Sequence, residues 1–248
     1  MAVDSSALEG FIAGKAVLGT GAGGLIGSEI VMQVCAFQPD HLILFDSDET
    51  ELHNLGIRLQ RRFPHLADRI NYANGDIRDR LRLEELFREL SPQIVFHAAA
   101  LKHVPMMEYN PKEAVKVNVF GTYELAKAAV THGAENFVMI SKDKAVMPTS
   151  VMGVTKRVAG YVCYAMGNNS AEGKINAQFV SVRFGNVLGS RGSVLPVFLD
   201  QLRHGEALSV THRDMKRYFI FPRRLPLCCR RPSSAGAARS WCWIWENR

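Results

Sequence analysis

GTGAGGLIG, residues 19–27, stands between a short apolar run, KAVLGT at 15–20, and a helix-periodic stretch over 24–37. Its glycines at 21, 24 and 27 have the spacing of a dinucleotide-binding turn. In such a turn Gly21 permits the tight bend, Gly24 lets the backbone approach a pyrophosphate, and Gly27 lets helix and strand pack closely. Free N–H groups at the helix N-terminus then face the anion. A second strand-like run, HLILFD at 41–46, ends on Asp46, about 20 residues beyond the last glycine. A carboxylate there accepts hydrogen bonds from the adenosine ribose and repels a 2′-phosphate, which favours NAD over NADP. Asp76, in NGDIRD, follows the third strand. It either approaches the adenine or serves as an ordinary turn or helix-capping aspartate.

The same alternation continues outward from the turn. INYANGD, IVFHAAA, NFVMIS and QFVSVRFGN read as strands, separated by helical stretches over 49–63 and 79–90 and near 110–132 and 151–167. Short buried strands alternating with helices imply right-handed crossovers and an α/β fold built on a doubly wound parallel sheet of the Rossmann kind. After residue 184 the rhythm is lost in GNVLGSRGSVLPVF, a glycine-rich loop before a short helix. In such sheets, loops beyond the strand ends build the ligand crevice. The expected organisation is a dinucleotide-binding domain at 1–184, a partial substrate-binding lobe at 185–219 and an aberrant tail at 220–248.

With 248 residues, 47% apolar and 22% charged, the chain has room for one large α/β domain. Its net charge of +6 is unevenly spread. Arg223, Arg224, Arg230, Arg231, Arg239 and Arg248 stand against Glu246 alone, so the tail carries five of the six charges and nucleic acid is not an expected partner. Five cysteines without a Cys-x-x-Cys indicate neither a disulfide framework nor a zinc site, and a reducing compartment is the default. No signal-peptide pattern and no run of 18 apolar residues occurs, so the chain as given is expected to be cytoplasmic without direct membrane insertion.

MISKDKAVMPTSVMGVTKR, residues 139–157, bears on the chemistry. It has the serine and lysine of a short-chain dehydrogenase site, but Met152 stands where the tyrosine of Tyr-x-x-x-Lys belongs. With a helix capped by Thr149 or Ser150, Met152 and Lys156 are four apart on one face. In tyrosine versions of the site the lysine lowers the phenol's pKa and holds the nicotinamide ribose, while the tyrosine moves the substrate proton. A thioether cannot do this. The loop offers Ser141, Lys142, Asp143 and Lys144 instead, and an adjacent carboxyl and amine can act as acid and base. The plainer alternatives are a solvated charged turn for SKDK and core packing for Met152.

GAGGLIGSE, HAAALKHVP, VNVFGT, SKDKAVMPTSVMGVTKR and VRFGNVLGSRGSV together resemble the CapD-type polysaccharide-biosynthesis proteins over roughly residues 11–219. These are nucleotide-sugar 4,6-dehydratases of the extended short-chain dehydrogenase class. Larger members act on UDP-N-acetylglucosamine and carry methionine for tyrosine, so the resemblance favours relocated chemistry. It implies bound NAD, oxidation at sugar C4, removal of the C5 proton by Lys144, protonation of the leaving C6 hydroxyl by Asp143, and return of the hydride to C6, which regenerates the cofactor. Gly21, Gly24, Leu25, Ile26, Gly27, Asp46, Asp76, Ile77, Ala98, Ala99 and Lys156 would line the cofactor. Ser141 and Lys156 would position sugar and nicotinamide, with Met152 in the tyrosine's place counted among the catalytic positions. Lys102, Lys142, Asn186, Arg191 and Arg217 are candidates for the UDP-sugar, the arginines especially for its diphosphate. Asn118 would tie strand loops together. A homo-oligomer is expected, and the resemblance is compatible with a parent protein anchored at the cytoplasmic face of the inner membrane. No metal is expected.

Two departures stand out. The family's Ser-Thr-Asp-Lys has Lys142 for threonine here, which removes a hydroxyl from the sugar and places an ammonium beside Lys144; Gly19 and Leu25 also replace a valine and a serine of the usual turn. The tail departs further. Read two nucleotides on, the codons of Cys242 to Arg248 force Leu, Asp and Gly and permit LDMGEP. Ile220 to Arg224 permits IPEA, and Cys228 to Arg231 permits VLQA. These are segments the family shows after RYF, so a frameshift near residue 220 is expected. The alternatives are a 4-epimerase, which normally keeps the tyrosine, and a dinucleotide-binding module without turnover.

Overall fold

The structure, a computed structural model, describes residues 5–171, 177–187, 194–210, 212–214, 219–220 and 241–243. It divides into two compact units, Met1–Phe184 with Leu227–Arg248, and Gly185–Pro226. The first unit begins with helix α1 (Ser5–Ile12) and holds strands β1 (Ala16–Thr20), β2 (His41–Asp46), β3 (Ile70–Asn74), β4 (Ile94–His97), β5 (Asn136–Lys142), β6 (Gln178–Phe184) and, beyond the second unit, β9 (Trp241–Trp243). All seven are parallel, in the order β3-β2-β1-β4-β5-β6-β9. The chain winds outward from β1 to β3, then returns to place β4 on β1's other side. Beyond the carboxyl ends of β1 and β4 this reversal opens a crevice, the usual ligand position in such a sheet.

Burial on both faces explains the unbroken apolar runs: β1 is buried along its whole length and β4 likewise. The helices between them are amphipathic. In α3 (Glu49–Arg62), Leu52, Leu55 and Leu59 face the sheet, and Asp48 caps the helix by accepting from the Glu51 N–H at 3.1 Å. In α4 (Arg80–Leu90), Leu83, Leu86 and Phe87 are buried, and Asp79 caps through the Arg82 N–H. Leu18, Ile43, Phe45, Val95 and Phe137 fill the centre, with Phe137 stacked on Phe179 at 5.0 Å.

The helix expected near 110–132 is in three pieces. α6 (Pro111–Val115) and α7 (Thr122–Thr131) flank a π-helical turn, Lys116–Gly121, in which Asn118 and Gly121 are buried. Gly121 lets Ile77 pack closely, since a Cβ there would stand 2.7 Å from Ile77 Cδ1. α2 (Leu25–Cys35) follows the glycine turn, α5 (Val104–Tyr109) follows β4, and α8 (Val151–Ala171) follows β5 after a 3-10 turn at Asp143–Ala145. In the second unit β7 (Asn186–Val187) pairs in parallel with β8 (Phe219–Ile220), and α9 (Val194–Arg203) has no buried residue.

Candidate active site

The glycine turn is built as the spacing requires. Gly21 has φ +66, and a Cβ on it would lie 2.5 Å from the Ala99 backbone nitrogen, so β1 and β4 can meet at the crevice only through glycine. A Cβ on Gly27 would stand 2.0 Å from the Gly21 carbonyl oxygen. Gly24 is the N-cap of α2, which puts Leu25 and Ile26 in the helix's first turn, where N–H groups point outward along the axis. Asp46 shapes the turn from outside: one carboxylate oxygen accepts from Gly23 N–H at 2.8 Å and the other from Asp48 N–H at 3.0 Å. Each oxygen retains a lone pair for a ribose hydroxyl. This close backbone cradle ahead of a helix N-terminus fits a dinucleotide pyrophosphate.

Asp76 is held differently. Arg78 grips both its carboxylate oxygens and also reaches Glu113 at 2.9 Å. Hydrogen bonds from Arg78 hold the Asp76 carboxyl below the usual carboxylate range. That arrangement matches the turn role better than an adenine contact.

At the end of β5, Ser141 is 2% exposed and its Oγ has no hydrogen-bond partner among the described residues. Asp143 and Lys144 follow on the 3-10 turn, both half-buried, with Asp143 Oδ1 accepting the Lys144 N–H at 2.8 Å. Ser150 caps α8 by accepting from Gly153 N–H at 3.2 Å. Gly153 fits against the loop, since a Cβ there would lie 2.7 Å from the Lys144 carbonyl oxygen. Met152 is fully buried in a satellite apolar cluster with Met107 and Ala114. There the methionine packs as an ordinary apolar side chain.

Lys156 is also buried, and desolvation, aided by the charge of Lys142, brings its pKa down to about 7. Lys142 acts on His103 as well: burial first, then the charges of Lys102 and Lys142, lower that imidazole's pKa. The extra ammonium, expected to act on Lys144, thus bears on Lys156 and His103. The linkage has a definite sign. Between about pH 7 and Lys156's ordinary value of 10.5 the unfolded chain holds a proton the folded chain lacks, so stability rises with pH. Cofactor-free chain unfolded in urea should therefore gain stability between about pH 7 and 8.5, below the ordinary thiol value of 9.0. Lys156→Met should flatten that rise, and an equal slope in both chains would refute the assignment.

The structure adds a buried polar chain that links the end of β1 to α8. Thr20 Oγ1 is 2.8 Å from His97 Nδ1, and His97 Nε2 is 2.9 Å from Thr122 Oγ1, which donates to the Asn118 carbonyl at 2.8 Å. Because Thr122's proton is committed to Asn118, His97 Nε2 must be the donor and Nδ1 the acceptor from Thr20. The imidazole is neutral, and burial brings its pKa down to about 3. The Asn118 side chain accepts from Leu101 N–H at 2.8 Å and donates to Leu101 O and to Thr155 Oγ1 at 3.1 and 3.0 Å. It therefore ties the loop after β4 to α8. Thr155 in turn donates to Met152 O, one residue before Lys156.

Ala98 and Ala99 line the loop after β4, where Ala98 N–H donates to Thr20 O at 3.0 Å; Lys102 lies farther along the same loop, half-buried. Asn186 lies on β7 in the second unit. Arg191 and Arg217 lie outside the described residues. Among the described residues, no three His, Cys, Asp or Glu side chains group to hold a metal, and no helix is long and apolar enough to cross a membrane.

A parallel sheet with a glycine turn at its reversal point, and a serine and buried lysine beyond the next strand, define an extended short-chain dehydrogenase fold. The chain belongs to the polysaccharide biosynthesis protein family, whose model matches residues 17–223. It is 47% identical to "Probable polysaccharide biosynthesis protein EpsC" of Bacillus subtilis (strain 168), over 95% of this chain and 38% of that protein. It is 34% identical to "UDP-N-acetylglucosamine 4,6-dehydratase (inverting)" of Campylobacter jejuni (strain 81-176), over 84% of this chain and 60% of the relative. The chain thus spans less than two thirds of the length of these relatives. Among solved structures, DesIV of Streptomyces venezuelae, a dTDP-glucose 4,6-dehydratase with NAD bound, shares the fold at TM-score 0.70 and 23% identity, covering 84% of this chain and 68% of its own.

Proposed function

We propose that the chain is the NAD-binding, catalytic part of a nucleotide-sugar 4,6-dehydratase acting on UDP-N-acetylglucosamine in the making of surface polysaccharide or glycan precursors. One observation carries this reading. The position a tyrosine would hold is a methionine sealed in the core, while Asp143 and Lys144 stand at the mouth of β5 beside Ser141. A dehydratase needs an acid and a base at adjacent sugar carbons, and this pair supplies both. A 4-epimerase needs no such pair.

The cradle of Gly21, Gly24, Gly27 and Asp46 would hold NAD, with Lys156 on the nicotinamide ribose. When bound, NAD supplies reversible two-electron oxidation of the sugar at C4. Ser141 Oγ, dry and unsatisfied, is suited to hydrogen-bond the C4 oxygen and hold the ring. Once C4 is a ketone, its neighbouring C5–H is acidic, and Lys144 removes that proton. Asp143 protonates the C6 hydroxyl as it leaves; the hydride taken from C4 would then return to C6 and Lys144 would give its proton back to C5, so the cofactor would end as it began and the net loss is one water. Val154, Val158 and Tyr161, an exposed apolar stripe at i, i+4 and i+7 along α8, support a homo-oligomer.

Overnight incubation of the chain with UDP-N-acetylglucosamine and NAD, followed by mass spectrometry, should reveal a product lighter by one water. An isomer of unchanged mass would indicate epimerisation, and unchanged sugar with bound NAD a non-catalytic module. Running Lys142→Thr in parallel shows what the ammonium costs: water loss should be faster with threonine, because Lys156 keeps its proton more readily.

A further inference from the structure

The turn that carries Asp143 and Lys144 is closed by bonds to itself. Lys144 N–H donates to Asp143 Oδ1 at 2.8 Å, and Val146 N–H donates to the Asp143 carbonyl at 3.0 Å. Bonds of this kind fix the shape of a turn but not its place against the rest of the chain.

Place is supplied from α8. Gly153, Arg157 and Tyr161 recur at every fourth position and so share one face of that helix. Gly153 lets this face lie directly against the Lys144 carbonyl, but van der Waals contact alone has little direction. Arg157, half-buried, adds the direction: its Nη1 donates to the Val146 carbonyl at 3.2 Å. Its Nε donates to the Tyr161 hydroxyl at 3.0 Å, and the guanidinium carbon lies 5.7 Å from the centre of that ring. Stacking and hydrogen bond together hold the guanidinium in one orientation. Val146 is therefore gripped twice, through its N–H by Asp143 and through its carbonyl by Arg157. Arg157 also directly follows the buried Lys156, so one stretch of α8 bears both the cofactor's lysine and the hold on the turn.

We propose that Arg157 is a positioning residue: steadied by Tyr161, it clasps the Val146 carbonyl and so fixes where Asp143 and Lys144 stand relative to Lys156. The clasp follows from the contacts; that the turn carries an acid and a base rests on the function proposed above. Lysine is no substitute, because an ammonium has no planar fork to bond carbonyl and phenol at set angles.

The test reads amide hydrogen exchange and turnover on the same chains. In Arg157→Met the Lys144 and Val146 amides should exchange about tenfold faster, the worth of one lost charge-assisted bond, while amides of α7 keep their rates. With UDP-N-acetylglucosamine and NAD, C5 hydrogen exchange in D₂O and water loss should fall together, about 10–100-fold in kcat with KM within about threefold, because acid and base ride one turn. NAD affinity should stay within about twofold, since the glycine cradle is untouched. Arg157→Lys should recover little of this loss. Tyr161→Phe keeps the ring and drops the hydroxyl, so it should show the same changes at about fivefold, and it decides the matter should Arg157→Met not fold. Undisturbed amides at Lys144 and Val146, loss of one reaction without the other, or NAD binding lost in step with turnover would each overturn the proposal. If the parent chain loses no water, the functional reading fails and amide exchange alone decides the clasp.

Discussion

Lys144→Met abolishes water loss from UDP-N-acetylglucosamine by about 10²–10⁴-fold, the usual worth of a positioned acid–base group, and leaves NAD binding within about twofold. Methionine matches the length of the lysine and cannot take a proton. Asp143→Asn behaves differently if the two roles are separate. In D₂O it should still exchange the sugar's C5 hydrogen, because Lys144 is intact, yet eliminate no water, because the C6 hydroxyl finds no acid. Mass spectrometry resolves both events in one sample. Lys144→Met that still exchanges C5 hydrogen would move the base elsewhere, with Lys156 the first candidate since its pKa lies near 7.

The second large effect is at the cofactor turn. Gly21→Ala should lose NAD binding and destabilise the chain by about 2–5 kcal/mol, from left-handed backbone strain plus a clash with backbone that cannot retreat. Gly133→Ala is the matched control. Gly133 has φ +75, but a Cβ there meets nothing within 4 Å, so it should cost about 1–3 kcal/mol of strain and leave NAD binding alone. Thermal unfolding and a NAD titration on both variants separate conformation from crowding. Equal losses at the two glycines would mean that β1 and β4 do not approach as closely as Gly21 and Ala99 imply.

What could be read from the sequence was local. Six strands and their parallel arrangement follow from apolar runs set between helical periods, and the glycine turn is legible because backbone conformation at Gly21 and close packing at Gly27 leave no other residue possible. Asp46 is legible for the same reason, at the end of the strand that must carry it. Met152 poses its question in the sequence, but only the packing of Met107 and Ala114 around it shows that the thioether belongs to the core. Of the chain from Thr20 through His97, Thr122 and Asn118 to Thr155, only a tying role for Asn118 is expected from the sequence; the rest could not be read, because its members lie up to 135 positions apart and each alone is an ordinary polar residue. The same holds for the coupling of Lys142 to Lys156, which depends on a helix returning beside its own preceding strand. Gly153 left a signal that spacing could have caught: a glycine next to the missing tyrosine, on a helix that otherwise avoids glycine in its first turn.

The π-helical turn at Lys116–Gly121 sets a rule of counting on this part of the chain. Such a turn holds one residue more than an α-helical one, so removing any single residue from it would let the helix close normally and swing everything before it by about 100° relative to α7. Asn118 would then leave Leu101, and β4's loop would come untethered from α8. Apart from Asn118 and Gly121, whose contacts are specific, side chains along this segment can change, but its length cannot: insertions and deletions should be purged here even where substitutions pass.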